Sequence, residues 1–277
     1  MVLVLQAILV GVFIGVVVAG CIAYIVSRHC RSQAAVADVY FAYPSRAQPV
    51  LATIYRGGCS IFYIVILLLE LIENGFSIYK YYTIWNFTLQ LIYFVWATTF
   101  SLRLAMLPAK APIRVTPELR ALNTLFGWIL PVSFVVLIVF WALLYGPGYD
   151  LSTYSVAEHA VNNILLVLEF VANDFYVGKA SIVYACLLWP ALYAAWACLS
   201  YATWLGSWPY KFLDLDKNSA IGWYIGVLLG HFILFGAAYL LGVLKRKLKP
   251  SLVTTPPILA EPLPVSSRDL DSIQIAP

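Results

Sequence analysis

Thr83 and His159 are the residues of this sequence best suited to chemistry. Each lies about one turn inside a stretch that is otherwise apolar. A hydroxyl beside an imidazole makes a nucleophile–base pair: the ring takes the proton as the oxygen attacks a carbonyl carbon. Among apolar side chains, such a pair suits an ester whose acyl chains already dissolve in a bilayer. A structural reading stands beside the chemical one. Threonine in a membrane helix bonds its own i−4 carbonyl or a neighbouring helix, and a single interior histidine is often a satisfied structural group. Spacing alone leaves both open, and His231 in the last apolar stretch carries the same ambiguity.

Other polar residues accompany the pair. Thr83, Asn86 and Gln90 follow i, i+3, i+7 and share a helix face; His159, Asn162 (or Asn163) and Glu169 share another. A polar group in lipid is costly unless partnered, so these side chains are expected to line one cavity between their two helices. Asn86 or Asn162 would then donate to the oxygen of an attacked carbonyl. Glu169 would lie about 15 Å beyond His159, near the midplane of a roughly 30 Å hydrocarbon core, protonated or hydrogen-bonded. Glu70 and Glu73 end the second span on the same side as Thr83 and read as interfacial, with orientation of His159 by Glu70 as the alternative. Trp208, Tyr210 and Phe212 suit the headgroup level and form a lid over the cavity mouth or a plain interfacial anchor, with Asp214 holding the loop.

The elements that carry these residues follow from composition. Hydrophobic residues make up 62% of the chain and charged residues 11%. A soluble domain needs about 25% charged residues, so lipid is the main solvent. In lipid only helices and closed barrels satisfy the backbone, and long unbroken apolar runs select helices. The expected fold is an all-α bundle with spans at 2–27, 57–73, 82–104, 123–145, 156–177, 181–206 and 219–244. The first is read as a retained helix, since no basic residue precedes it and its apolar run exceeds a signal-peptide core. Pro131 and Pro190 are expected to kink the fourth and sixth spans. The chain divides into an N-terminal helix (1–27), a cytosolic loop (28–56), a six-helix core (57–247) and a disordered, Pro- and Ser-rich cytosolic tail (248–277).

Basic residues set the orientation. Counted over alternate aqueous segments, 14 lie on one side and 3 on the other. The Lys- and Arg-rich side is cytosolic, which puts the N-terminus outside or in a lumen and the C-terminus in the cytosol. The net charge of +4 is too small to point to nucleic acid. The five cysteines show neither metal nor disulfide spacing, and no cofactor or metal is implied. Residues 219–244 contain no lysine for a retinal Schiff base, the two intramembrane histidines are not a haem pair, and Asp-Arg-Tyr and Asn-Pro-x-x-Tyr motifs are lacking.

Three ordered strings carry a family resemblance. They are Tyr82-Thr83-Ile84-Trp85-Asn86-Phe87-Thr88-Leu89-Gln90, then His159-Ala160-Val161-Asn162 with Glu169 ten residues on, then Trp208-Pro209-Tyr210-Lys211-Phe212-Leu213-Asp214-Leu215. Together they resemble the superfamily of androgen-induced membrane proteins, rolling-stone-like proteins and related plant membrane proteins, over roughly 58–247. The androgen-induced branch implies an intramembrane threonine hydrolase of fatty-acid esters of hydroxy fatty acids, with Thr83 and His159 as its essential pair. Trp85, Asn162 and residues 209–214 look more like the rolling-stone and plant branches. Those imply the alternative, a non-catalytic multi-pass protein in adhesion, fusion or signalling. Either way the expected partners are membrane lipids, with a lipid ester as substrate in the first case and no protein partner indicated. The expected location is the endoplasmic reticulum or the plasma membrane.

Overall fold

Lipid offers no hydrogen bonds, so each apolar stretch closes its backbone bonds on itself. The computed structural model describes residues 2–32, 40–41, 47–107, 113–114, 116–248 and 253–254. Among them are seven helices long and apolar enough to cross a membrane, as expected for an all-α bundle. The first runs Val2–Ser32. The second runs Ala47–Asn74 and continues as a 3₁₀ turn, Gly75–Lys80. The third is Tyr82–Met106. The fourth is Pro117–Val139, widening into a π turn at Phe140–Leu144. The fifth spans Thr153–Ala172, the sixth Lys179–Leu205 and the seventh Ala220–Leu248.

Two helices begin earlier than hydropathy alone predicts. The second starts at Ala47 rather than 57, which carries Arg56 out of the expected loop and into the bundle. The fourth starts at Pro117 rather than 123. Its first turn has a full set of start signals: the Thr116 hydroxyl accepts from Leu119 N–H, Pro117 needs no backbone partner, and Glu118 meets the positive end of the dipole. A hydropathy window reads only the hydrocarbon-facing part of a helix and misses such polar turns.

The expected disordered tail falls outside the described residues except for Leu248, which ends the seventh helix, and Val253–Thr254. The last two form one of three two-residue strands. Tyr40–Phe41 pairs antiparallel with Ile113–Arg114 on one side and Val253–Thr254 on the other. The ladder joins the segments after the first, third and seventh helices at one end of the bundle.

The core sits between the second, third, fourth and fifth helices. Tyr63 is fully buried and packs on Phe87 at 4.5 Å and on Phe94 at 5.3 Å between ring centroids. Tyr93 continues the stack to Phe126, and Phe126 lies parallel to Phe170. Exposed Ile54, Ile61, Ile72, Ile233 and Leu240 cover the outside, which only a lipid surround makes favourable. The first helix lies against the sixth through Val10, Ile14 and Ala191. Among the described residues Cys21, Cys59, Cys186 and Cys198 are free thiols.

Apolar burial does not drive helices together in lipid, so close backbone approach matters more. Gly127 on the fourth helix marks such an approach. A Cβ there would come within 2.6 Å of Ser181 Oγ on the sixth helix and 3.3 Å of Val177 Cα. Gly127→Ala should therefore destabilise the bundle by about 1–3 kcal/mol, the cost of overpacking. Gly57→Ala is the control: its nearest neighbour would be Thr98 Cγ2 at 3.8 Å, and it should be neutral or stabilise by up to about 1 kcal/mol through helix propensity. Thermal unfolding of the two variants in one detergent makes the comparison.

Candidate functional site

The end of the bundle opposite the strand ladder holds a cavity of about 360 Å³. Its walls are apolar residues of the first, fourth, sixth and seventh helices, such as Phe13, Val135, Leu187 and Leu228. Its polar residues are few: Thr83, His159, His231 and the tyrosines Tyr82, Tyr193, Tyr210 and Tyr224. Thr83 and His159 therefore face one space although they come from different helices. Both are buried, and among the described residues no hydrogen bond joins them.

Thr83 is the second residue of the third helix, and its hydroxyl does not take the usual structural bond. Its i−4 carbonyl, Tyr79 O, already accepts the indole N–H groups of Trp85 and Trp196, each at 2.9 Å. Further down the same helix, Thr98 donates to Phe94 O at 2.6 Å and Ser101 to Ala97 O at 2.7 Å, the common back-bonded arrangement. The contrast marks Thr83 as a hydroxyl kept off the backbone.

His159 lies in a π turn, Ala157–Val161, within the fifth helix. The ring lies flat on Phe140, with centroids 3.7 Å apart and planes 4° from parallel. Phe140 begins the π turn that ends the fourth helix. Each π turn admits one extra residue per turn and re-aims a side chain, as is common at functional sites. His159 Nδ1 is buried without a hydrogen-bond partner. Glu70, expected within reach of His159, faces the neighbouring residue Glu158 instead.

Two features were not drawn from the sequence. First, His231 Nδ1 lies 2.8 Å from Val227 O and Nε2 lies 3.0 Å from the Tyr82 hydroxyl. Second, the Tyr210 hydroxyl accepts the N–H of Tyr82 at 3.1 Å, capping the third helix from the 206–219 loop. Burial pushes the Tyr210 phenol up to about 12, against the opposing pull of the Thr83 side chain and the nearby Tyr82 and Thr83 amides. It is thus a neutral O–H beside Thr83 at ordinary pH. Residues far apart in sequence make both contacts, so no local spacing announces them.

The 206–219 loop is part of the cavity wall. Gly206, at φ 61°, ends the sixth helix in a left-handed conformation that a Cβ would strain. Tyr210 and Phe212 line the cavity with their rings stacked 5.1 Å apart, while Trp208 stacks on Tyr201 at 4.4 Å. The Asp214 carboxylate holds the loop by accepting the N–H of Asp216 at 3.0 Å.

The remaining expected site residues are buried, but none lines this cavity. Asn86 is fully buried with both amide atoms unpartnered. Gln90 Oε1 accepts from the Tyr63 hydroxyl. Asn162 Oδ1 accepts from the backbone and side chain of Asn163, whose own Oδ1 accepts from Ser133. Glu169 sits in the last turn of the fifth helix, which ends at Ala172. Its Oε1 accepts from Arg56 Nη2 at 2.7 Å, Arg56 Nε at 2.9 Å, the Tyr93 hydroxyl at 2.7 Å and Asn173 Nδ2 at 3.0 Å. Gln90, Asn162 and Glu169 thus brace the bundle outside the cavity, while Asn86 packs there without a side-chain hydrogen bond among the described residues.

The chain is a multi-pass integral membrane protein with a cavity that is apolar along its walls and polar at a few points. Comparison with protein-family models, curated proteins and solved structures finds no match.

Removing one partner of a buried ion pair costs about 3–5 kcal/mol, while replacing both with apolar side chains costs much less. Arg56→Met should therefore strongly lower the thermal unfolding temperature, and the double variant Arg56→Met/Glu169→Leu should recover most of the loss. An additive double variant would show that the pair contributes no coupling.

Proposed function

We propose that this protein is an intramembrane threonine-type hydrolase of lipid esters, with Thr83 as nucleophile and His159 as general base. The observation that carries the reading is that both side chains, from separate helices, open into one apolar cavity. The freedom of the Thr83 hydroxyl from back-bonding adds to it. An acyl chain lies along the walls, its ester carbonyl between Thr83 and His159. As Thr83 Oγ attacks, its proton passes to His159 and then to the departing alcohol, and the acyl group stays on Thr83. The Tyr210 O–H, beside Thr83, donates to the developing oxyanion, the role the sequence suggested for Asn86 or Asn162. Esters of hydroxy fatty acids fit the cavity chemistry, and the motif resemblance points the same way.

The test compares wild type, Thr83→Ala, His159→Ala and the double variant against branched fatty-acid esters at matched expression. Each single change should cut hydrolysis by about 10²–10⁴-fold. The double variant should be no worse than the poorer single one, because both groups serve one step. Thr83→Ser should retain activity. Wild-type rates in both alanine variants would leave a lipid-holding protein of adhesion, fusion or signalling as the reading.

The same proposal includes orientation. The basic residues favour an external or lumenal N-terminus and a cytosolic C-terminus, and the asymmetry survives the loss of Arg56 to the interior. The cavity then opens near the external or lumenal leaflet of the endoplasmic reticulum or plasma membrane. A tag after Pro277 should be digested from the cytosolic face of sealed microsomes, and its protection would reverse the topology.

A further inference from the structure

The cavity holds a second hydroxyl–imidazole pair, and it is the more completely assembled of the two. A backbone carbonyl only accepts hydrogen bonds, so the 2.8 Å contact with Val227 O requires the proton of His231 on Nδ1. Nε2 is then a bare lone pair, and the Tyr82 hydroxyl, 3.0 Å away, donates to it. The remaining capacity of the Tyr82 oxygen is as an acceptor, and Tyr82 and His231 both line the cavity. The Tyr82 ring is held between Tyr193, 4.9 Å away, and His231, 5.8 Å away, so the hydroxyl is fixed in direction. Among the described residues His159 has no such support: its Nδ1 has no partner, and its ring is stacked on Phe140. The base with no orienting group and the base with a full set share one cavity, and Tyr82 is the chain neighbour of Thr83.

We propose that Tyr82 and His231 activate the water that releases the acyl group from Thr83, the second half of the reaction. This rests on the reading of Thr83 as nucleophile. Water donates to the Tyr82 oxygen and attacks the acyl carbon. Its proton moves to Tyr82 as the Tyr82 proton moves to His231 Nε2, and Val227 O steadies the resulting cation through Nδ1–H. When the tetrahedral intermediate collapses, the bond from the acyl carbon to Thr83 Oγ breaks. The proton returns through Tyr82 to Thr83 Oγ. The products are a free fatty acid and the original hydroxyl, with His231 neutral again. Tyr82 is the catalytic residue here, and His231 acts through it.

The experiment is a pre-steady-state assay with a long-chain p-nitrophenyl ester, using full-length protein in nanodiscs and mass analysis of the Thr83 peptide. Tyr82→Phe keeps the ring but loses the hydroxyl. His231→Gln keeps an acceptor for Tyr82 but no base, so a merely structural role would survive it. Both variants should release a stoichiometric burst of p-nitrophenol at the wild-type rate. Steady turnover should then fall by about 10²–10⁴-fold, with the acyl group accumulating on Thr83. Should Tyr82→Phe fail to fold, His231→Gln decides alone. Wild-type turnover in a folded variant, or loss of burst and turnover together, would overturn the proposal while leaving Thr83 as nucleophile. A wild-type protein that hydrolyses the ester without ever acylating Thr83 would instead overturn the nucleophile assignment, and this step with it.

Discussion

One carboxylate oxygen organises the interior of this bundle. Glu169 Oε1 receives Arg56 from the second helix, Tyr93 from the third and Asn173 from just beyond its own helix. A carboxylate placed in apolar surroundings must find partners or take up a proton. Here three parts of the chain converge on it. Lys245 of the seventh helix extends the arrangement, donating to Asn173 Oδ1 and to the carbonyls of Phe170 and Phe175. Four helices are thereby held together where apolar burial offers no directional force.

Two groups that face the cavity are held differently. Near the cavity, Thr83 is displaced from its own carbonyl by two indoles, and His159 Nδ1 has no partner. Proteins keep groups off their usual structural bonds where the surrounding structure holds them in place and function uses them. The same sequence therefore uses its polar residues in two ways, as braces that join helices around Glu169 and as groups that face the cavity at Thr83 and His159.

The bundle was legible from the sequence because an apolar run longer than the hydrocarbon thickness has few alternatives to a helix. The helix starts were less so. Arg56 looked like a loop residue because hydropathy does not register a charge whose partner lies 113 residues away. Thr83 and His159 stood out as polar residues at matching depth, and they do share a cavity. Asn86, Gln90, Asn162 and Glu169 were equally conspicuous by the same rule, which finds buried polar groups without distinguishing brace from site. Tyr82 passed unnoticed as a functional group and Tyr210 read only as a lid or interfacial ring, since tyrosines near a membrane surface are common and only tertiary contacts single out their hydroxyls.

The π turns on the fourth and fifth helices make the placement of His159 against Phe140 a matter of residue number as well as type. In an α-helix each residue advances the direction of a side chain by about 100°. One residue removed from the Ala157–Val161 turn, or from Phe140–Leu144 across from it, would rotate the rest of that segment by the same angle while every remaining side chain kept its identity. A relative of this chain could keep threonine, histidine and phenylalanine and still have lost their arrangement. Gaps in these two short stretches are thus as informative about kinship of function as the residues themselves.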